Sequence, residues 1–278
     1  MRTLLLLTLS LVPLIARAHD GYWRVEDQET IHRSFAGGAG HKLIVDNFTG
    51  VIHVTGGSAG QIEVTMVRHN RADSAERLAE AKREVRLDIS QQGGEVKLYQ
   101  DAPFRGHNFS FHGDRDYYRV EFDYDIQVPA GTALSLNTFN SEISVKGTTG
   151  DFDLHSFNGR IEAEDVTGAG SIHTFNGPMK IAFRRNPDRD LKVHTFNGSV
   201  DVYFQPNLNA DLSYKTFNGG VFSDFEVAPL ASTASAGRNG TRYVYQSGRS
   251  GSGRIGQGGP KLEFEGFNGA IRLHEAKS

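Results

Sequence analysis

Three histidines, His155, His173 and His194, each stand two residues before a copy of one triplet, Phe-Asn-Gly. Imidazoles repeated at one phase of a repeat can bind Zn²⁺ or Cu²⁺, or take up protons in acid. The full column reads Asn137, His155, His173, His194 and Lys215. On stacked strands such side chains lie about 5 Å apart and run parallel, which does not converge them on a tetrahedral ion. The column is therefore read as a solvated polar ladder. No metal or other cofactor is assigned, and His155, His173 and His194 are the residues that would ligate a metal if one bound.

Carboxylates are the next candidates. Asp151, Asp153, Asp188 and Asp190 could supply a catalytic pair for glycoside cleavage. The residues aligned with Asp153 in later repeats are Ser171 and Lys192, so no carboxylate cluster extends around it. Glu162, Lys180 and Asp201, five residues after successive triplet phenylalanines, alternate in sign, and Glu142 faces Arg160. That pattern stabilises a surface by a few tenths of a kcal/mol per pair and is a poor active site. Cleavage after Ala18 would expose His19 as an amino-terminal copper chelator, which needs a second converging histidine. No glycine-rich phosphate loop and no Gly-x-Ser-x-Gly elbow is present. The chain has no cysteine, which excludes iron–sulfur and cysteine–zinc sites. Its 30 Lys+Arg against 33 Asp+Glu form no basic block that would grip nucleic acid. No catalytic residue is assigned.

The elements that carry these residues follow from the triplet itself. It recurs, with variants, at Phe48, Phe139, Phe157, Phe175, Phe196, Phe217 and Phe267. From Phe139 the steps are 18, 18, 21 and 21 residues, then 50. A period near twenty indicates one supersecondary unit stacked repeatedly. Aligned on the Phe, apolar columns stand five before (Leu134, Phe152, Leu191, Leu212), three before (Leu136, Leu154, Ile172, Val193) and four after (Ile143, Ile161, Met179, Val200). Each repeat reads as two short strands of period two flanking an Asn-Gly corner.

Asn-Gly between alternating runs is also a hairpin signal, so a β-meander or propeller is the alternative. Identical residues at one phase favour parallel coils. The expected fold is all-β, a β-solenoid of stacked coils of about 18–21 residues. In it Asn140, Asn158, Asn176, Asn197, Asn218 and Asn268 would form a hydrogen-bonded structural ladder. Whether the phenylalanines point in or out is left open by alternation alone.

The ends differ from the repeats. Residues 1–18 read as a signal peptide, with Arg2, an apolar run from Leu4 to Ile15 and an Ala16-Arg17-Ala18 cleavage site. Residues 19–39 are a lead segment and 40–278 a single domain. Asp73-Ser74-Ala75-Glu76 opens a short helix near 74–85 with an acidic N-cap, flanking the solenoid near its N-terminal end. The loop at 101–116 carries Phe104, His107, Phe109, Phe111 and His112 and is the candidate binding loop. The segment 228–260 contains Ser-Gly-Arg-Ser-Gly-Ser-Gly-Arg and reads as a flexible insertion, with one further strand around 242–246. No segment of the mature chain is apolar enough to span a membrane.

The signal peptide, the strand–helix–strand start, Asp125-Ile126-Gln127-Val128-Pro129-Ala130-Gly131 and the repeating strand–Asn-Gly–strand units resemble the bacterial putative adhesin family of β-strand-repeat proteins, largely a domain of unknown function. The resemblance runs from about residue 40 to 273. It implies a β-helix-like solenoid in the cell envelope and brings no catalytic residues. The expectation is an exported protein, periplasmic, secreted or at the cell surface, that is non-enzymatic and presents a repetitive face to an envelope protein or glycan. A carbohydrate-active β-helix lyase or hydrolase is the alternative.

Overall fold

The computed structural model describes residues 23–57, 60–105, 117–230, 235–239, 242–246 and 250–277. The signal peptide and His19 lie outside the described residues. Before the repeats come β1 (Val25–Ala36), β2 (Lys42–Asp46), β3 (Ile52–Gly57), β4 (Gln61–Ala72), α1 (Ala75–Glu84), β5 (Arg86–Gln92), β6 (Glu95–Asp101) and β7 (Tyr118–Pro129). The repeats follow as strand pairs: β8 (Ala133–Thr138) with β9 (Ile143–Lys146), β10 (Phe152–Asn158) with β11 (Ile161–Val166), and β12 (Gly170–Asn176) with β13 (Met179–Phe183). Next are β14 (Leu191–Asn197) with β15 (Val200–Phe204) and β16 (Ala210–Asn218) with β17 (Val221–Ser223). After β18 (Val227–Pro229), β19 (Ser235–Asn239), β20 (Arg242–Gln246) and β21 (Ser250–Ile255), the last pair is β22 (Lys261–Asn268) and β23 (Ile271–Glu275).

The protein is all-β with one α-helix among the described residues, and its strands form two large mixed sheets. One has 12 strands in the order β1-β4-β7-β3-β9-β11-β13-β15-β23-β17-β20-β19, the other 11 in the order β18-β21-β16-β22-β14-β12-β10-β8-β2-β6-β5. Within each repeat the strand before Asn-Gly joins the second sheet and the strand after it joins the first. The corner therefore closes no hairpin, which removes the meander reading. Successive repeats pair in parallel with equivalent residues opposite each other, as in Leu154↔Ile172, His155↔His173 and Asn158↔Asn176. The apolar columns are buried, Leu154, Val193, Ile161 and Val200 each with no exposed surface, and the inward residues of both sheets form one hydrophobic cluster. Each such side chain contributes about 1.5–3 kcal/mol.

The structure adds detail to the ends of the chain, and a strand is present at Arg242–Gln246. The lead segment 19–39 contains a twelve-residue strand, β1, paired along its length with β4. The helix N-cap is Ser74, whose Oγ accepts from the Arg77 amide at 3.3 Å; Asp73 stands one residue outside. The insertion 228–260 is partly built from strand, since β21 runs antiparallel to both β16 and β18 and covers the outer edge of β16. An edge so covered accepts no further coil. The final repeat goes to the other side: β22 pairs in parallel with both β14 and β16, and β23 with both β15 and β17. Chain order and spatial order thus part at the last repeat.

Candidate functional site

The phenylalanines of the repeat point outward. Phe139, Phe157, Phe196, Phe217 and Phe267 are 37–41% exposed. With Phe48 and Phe175 they form one continuous stack, Phe48-Phe139-Phe157-Phe175-Phe196-Phe267-Phe217. Neighbouring centroids are 4.6–5.0 Å apart and planes lie within 7° of parallel. The stack is about 28 Å long, set by the strand spacing of the sheet beneath it. Its geometry fixes what it can do. Ring faces are spent on each other, so solvent meets a ridge of ring edges.

An amide ladder runs beside it. Asn158 Nδ2 donates to Asn140 Oδ1 at 2.8 Å, Asn176 to Asn158 at 2.8 Å, Asn197 to Asn176 at 2.7 Å, Asn268 to Asn197 at 2.7 Å and Asn218 to Asn268 at 2.9 Å. All five bonds point the same way, which lets each polarise the next. The corner is tight enough to demand glycine: a Cβ on Gly177 would meet the Gly159 carbonyl oxygen at 2.1 Å. On the inner side, the residue before five of the seven phenylalanines is a small hydroxyl, and Thr138, Ser156, Thr174, Thr195 and Thr216 are all buried; Asn47 and Gly266 precede Phe48 and Phe267. Ser156 Oγ donates to the Ser141 carbonyl at 3.0 Å and Thr174 Oγ1 to the Gly159 carbonyl at 3.1 Å, holding the turn. Neither the outward ridge nor this hydroxyl column was read from the sequence. The recurring Ser/Thr before Phe was the available signal, because a period-two strand that buries the hydroxyl must expose the ring.

Two residues from the ridge lies the histidine row. His155 and His173 rings sit 5.5 Å apart and His173 and His194 6.2 Å apart, each pair nearly perpendicular. The three therefore do not aim at one point. His155 Nε2 lies 2.9 Å from Asp153 Oδ1. Burial, then the flanking His155 and His194, holds the His173 imidazole below its usual value.

The four aspartates of the sequence reading do share a place, an open concavity of about 750 Å³ also lined by Lys42 and Arg189. Each already has a partner. Arg189 clasps Asp151 with two nitrogens and approaches Asp188 at 3.6 Å, and Asp190 Oδ1 accepts from the Lys261 amide at 2.9 Å. Burial raises the Asp153 carboxyl, but hydrogen bonds from Ser171 and His155 outweigh it and hold the group below the usual carboxylate range. A general acid needs the opposite shift.

Of the candidate loop, Phe104 lies in a short 3₁₀ turn, Pro103–Arg105, while His107, Phe109, Phe111 and His112 lie outside the described residues. The loop base is tied to the Phe48 end of the ridge. Arg105 pairs with Asp46 at 2.5 Å and stacks over Tyr99, and the Phe48 amide donates to Gln100 Oε1 at 2.8 Å.

No protein-family model and no curated protein matches this chain. Solved structures do. A putative cell adhesion protein from Clostridium sporogenes is similar at 13% identity and a TM-score of 0.42, over 90% of this chain and 100% of that one. A putative adhesin from Bacteroides fragilis is similar at 9% identity and 0.41, over 89% and 97%. A putative lipid binding protein from Parabacteroides distasonis gives 10% and 0.23, over 90% and 97%. Among the described residues no helix is long and apolar enough to cross a membrane.

Proposed function

We propose that this chain is an exported, non-enzymatic interaction module of the cell envelope, a two-sheet β-solenoid that binds a protein partner along its phenylalanine ridge. The signal-peptide pattern supports export to the periplasm or beyond. The observation that carries the binding reading is the continuous, outward stack of phenylalanines, because an uninterrupted apolar patch of this length on a water-facing sheet marks an interaction surface. The chemistry favours protein over glycan. A sugar ring packs on an open aromatic face, and these faces are closed by their neighbours, whereas an apolar groove or side-chain row can embrace ring edges.

The test places a photo-crosslinking residue at Phe157 in cells, with a control at Glu162 on the other sheet. A discrete protein adduct from position 157 alone is the expected result. Equal labelling from both positions, or none from 157, would count against the ridge as the binding face. The carbohydrate-active alternative draws on the aspartate-lined concavity. Release of reducing ends from a panel of polysaccharides by the purified chain would establish it and overturn the non-enzymatic reading; none is expected.

A further inference from the structure

The misplaced last repeat brings together residues that the sequence keeps 69 or more positions apart. Because β22 sits against β14, the next member of the histidine column after His194 is Glu265, and Lys215 is displaced one strand further out. Glu263, two residues earlier on β22, points out from the same face beside Lys192. His194 is thus opposite one carboxylate and diagonal to a second. One donor atom from each of His194, Glu263 and Glu265 lies within 4.8 Å of the other two.

The contacts among the three are unmade. His194 Nε2 is 3.8 Å from Glu263 Oε1 and Nδ1 is 4.0 Å from Glu265 Oε2, both beyond hydrogen-bond length. Nε2 is also shielded from solvent and has no hydrogen-bond partner. A shielded imidazole nitrogen without a partner, facing a carboxylate just out of reach, is a costly arrangement unless something sits between them. Glu263 is already oriented for that role: its Oε2 is held by Lys261 Nζ at 2.7 Å, which leaves Oε1 toward His194. Such a second contact fixes a ligand's direction in metal sites.

We propose that His194, Glu263 and Glu265 bind one divalent transition-metal ion of the class that accepts mixed imidazole and carboxylate ligands, with zinc as the working probe. Metal–ligand bonds of about 2.0–2.2 Å set donors roughly 3.2–3.6 Å apart in a tetrahedron; one ion takes a single nitrogen of His194, so both carboxylates must turn toward that nitrogen from a donor spacing of up to 4.8 Å to close the site. The two carboxylates balance the ion's charge. Three protein ligands would leave a fourth position for a water or a ligand atom of a docked partner, and His194 stands two residues before Phe196 of the ridge. His155 and His173 take no part, since their rings lie up the column on the far side of His194 from β22.

The experiment is isothermal titration of ZnCl₂ into the mature chain, free of any histidine tag, at about pH 7.5. One saturable equivalent is expected. His194→Gln and Glu265→Gln should each weaken it about tenfold or more, while His155→Gln leaves it unchanged. All three side chains are partly exposed, and cooperative metal-free melting of the variants reports an intact fold. Zinc anomalous scattering should place the ion between β14 and β22. Absence of saturable binding, or binding that survives both His194→Gln and Glu265→Gln, would overturn the proposal.

Discussion

Asn176 sits in the middle of the amide ladder, where its side chain makes two bonds, donating to Asn158 at 2.8 Å and accepting from Asn197 at 2.7 Å. Asn140 stands at the end and makes one, accepting from Asn158. Replacing Asn176 with alanine removes both bonds and strands an oxygen on Asn158 and an amide on Asn197. At about 0.5–1.5 kcal/mol per bond, with the Asn197 bond part-buried and those to Asn158 exposed, the loss is about 2 kcal/mol, against at most about 1 kcal/mol for Asn140→Ala. In a chain of this size that is a fall in melting temperature of roughly 4–8 °C for Asn176→Ala and about half as much for Asn140→Ala. Asn176→Asp sharpens the test. The carboxylate keeps the bond from Asn197 but turns an oxygen toward the Asn158 oxygen, so at neutral pH it should be no better than alanine. Below about pH 4 protonation restores a donor and the deficit should shrink. Thermal and urea denaturation of the parent and three variants read the two quantities. Equal losses at positions 140 and 176 would refute the bond-counting argument, because both residues occupy the same corner and differ chiefly in how many ladder bonds they make.

Two further outcomes are expected. His173 has a depressed pKa in the folded chain, so the unfolded chain binds the proton more readily; its contribution to stability is complete above an ordinary histidine value near 6.5 and is lost as pH falls through the lower folded value. His155 and His194 face it on either side, with Asp153 and Lys192 diagonal to it. The melting temperature should therefore drop as pH falls below about 6.5, less so in His173→Asn, whereas Asp153, held low, gives up its contribution only in stronger acid. Glycine substitutions should split by position. Gly177→Ala forces a Cβ to 2.1 Å from the Gly159 carbonyl and should cost several kcal/mol or prevent folding, while Gly266, where the nearest atom would be 3.6 Å away, should accept alanine with a gain of about 0.5 kcal/mol. Thermal unfolding of the pair checks both, and a tolerated Gly177→Ala would contradict the close approach of successive corners.

The repeat, its inner columns and its corner were legible in the sequence for a local reason. Period-two alternation and a residue pair that tolerates a sharp corner are properties of ten consecutive residues, so Leu154, Ile161 and Asn158 could be placed before any contact was known. The helix start was also local, and the one-residue error from Asp73 to Ser74 reflects how closely two capping residues compete. The aspartate concavity was not legible, because alignment along one column misses residues that arrive from the loop before the next strand, as Asp188 and Arg189 do.

What only the tertiary structure decided is which side of the corner faces water and which strand lies next to which. Beside the outward Phe157 and Phe175, the Ser156 and Thr174 hydroxyls donate to the Ser141 and Gly159 carbonyls at the corner of the preceding repeat, contacts that no single repeat contains. The neighbour of His194 depends on more distant events still. β21 covers the outer edge of β16 and the last repeat lies between β14 and β16, so a column that reads histidine then lysine along the chain reads histidine, glutamate, lysine in space. Which strand lies beside which is a property of the assembled sheet.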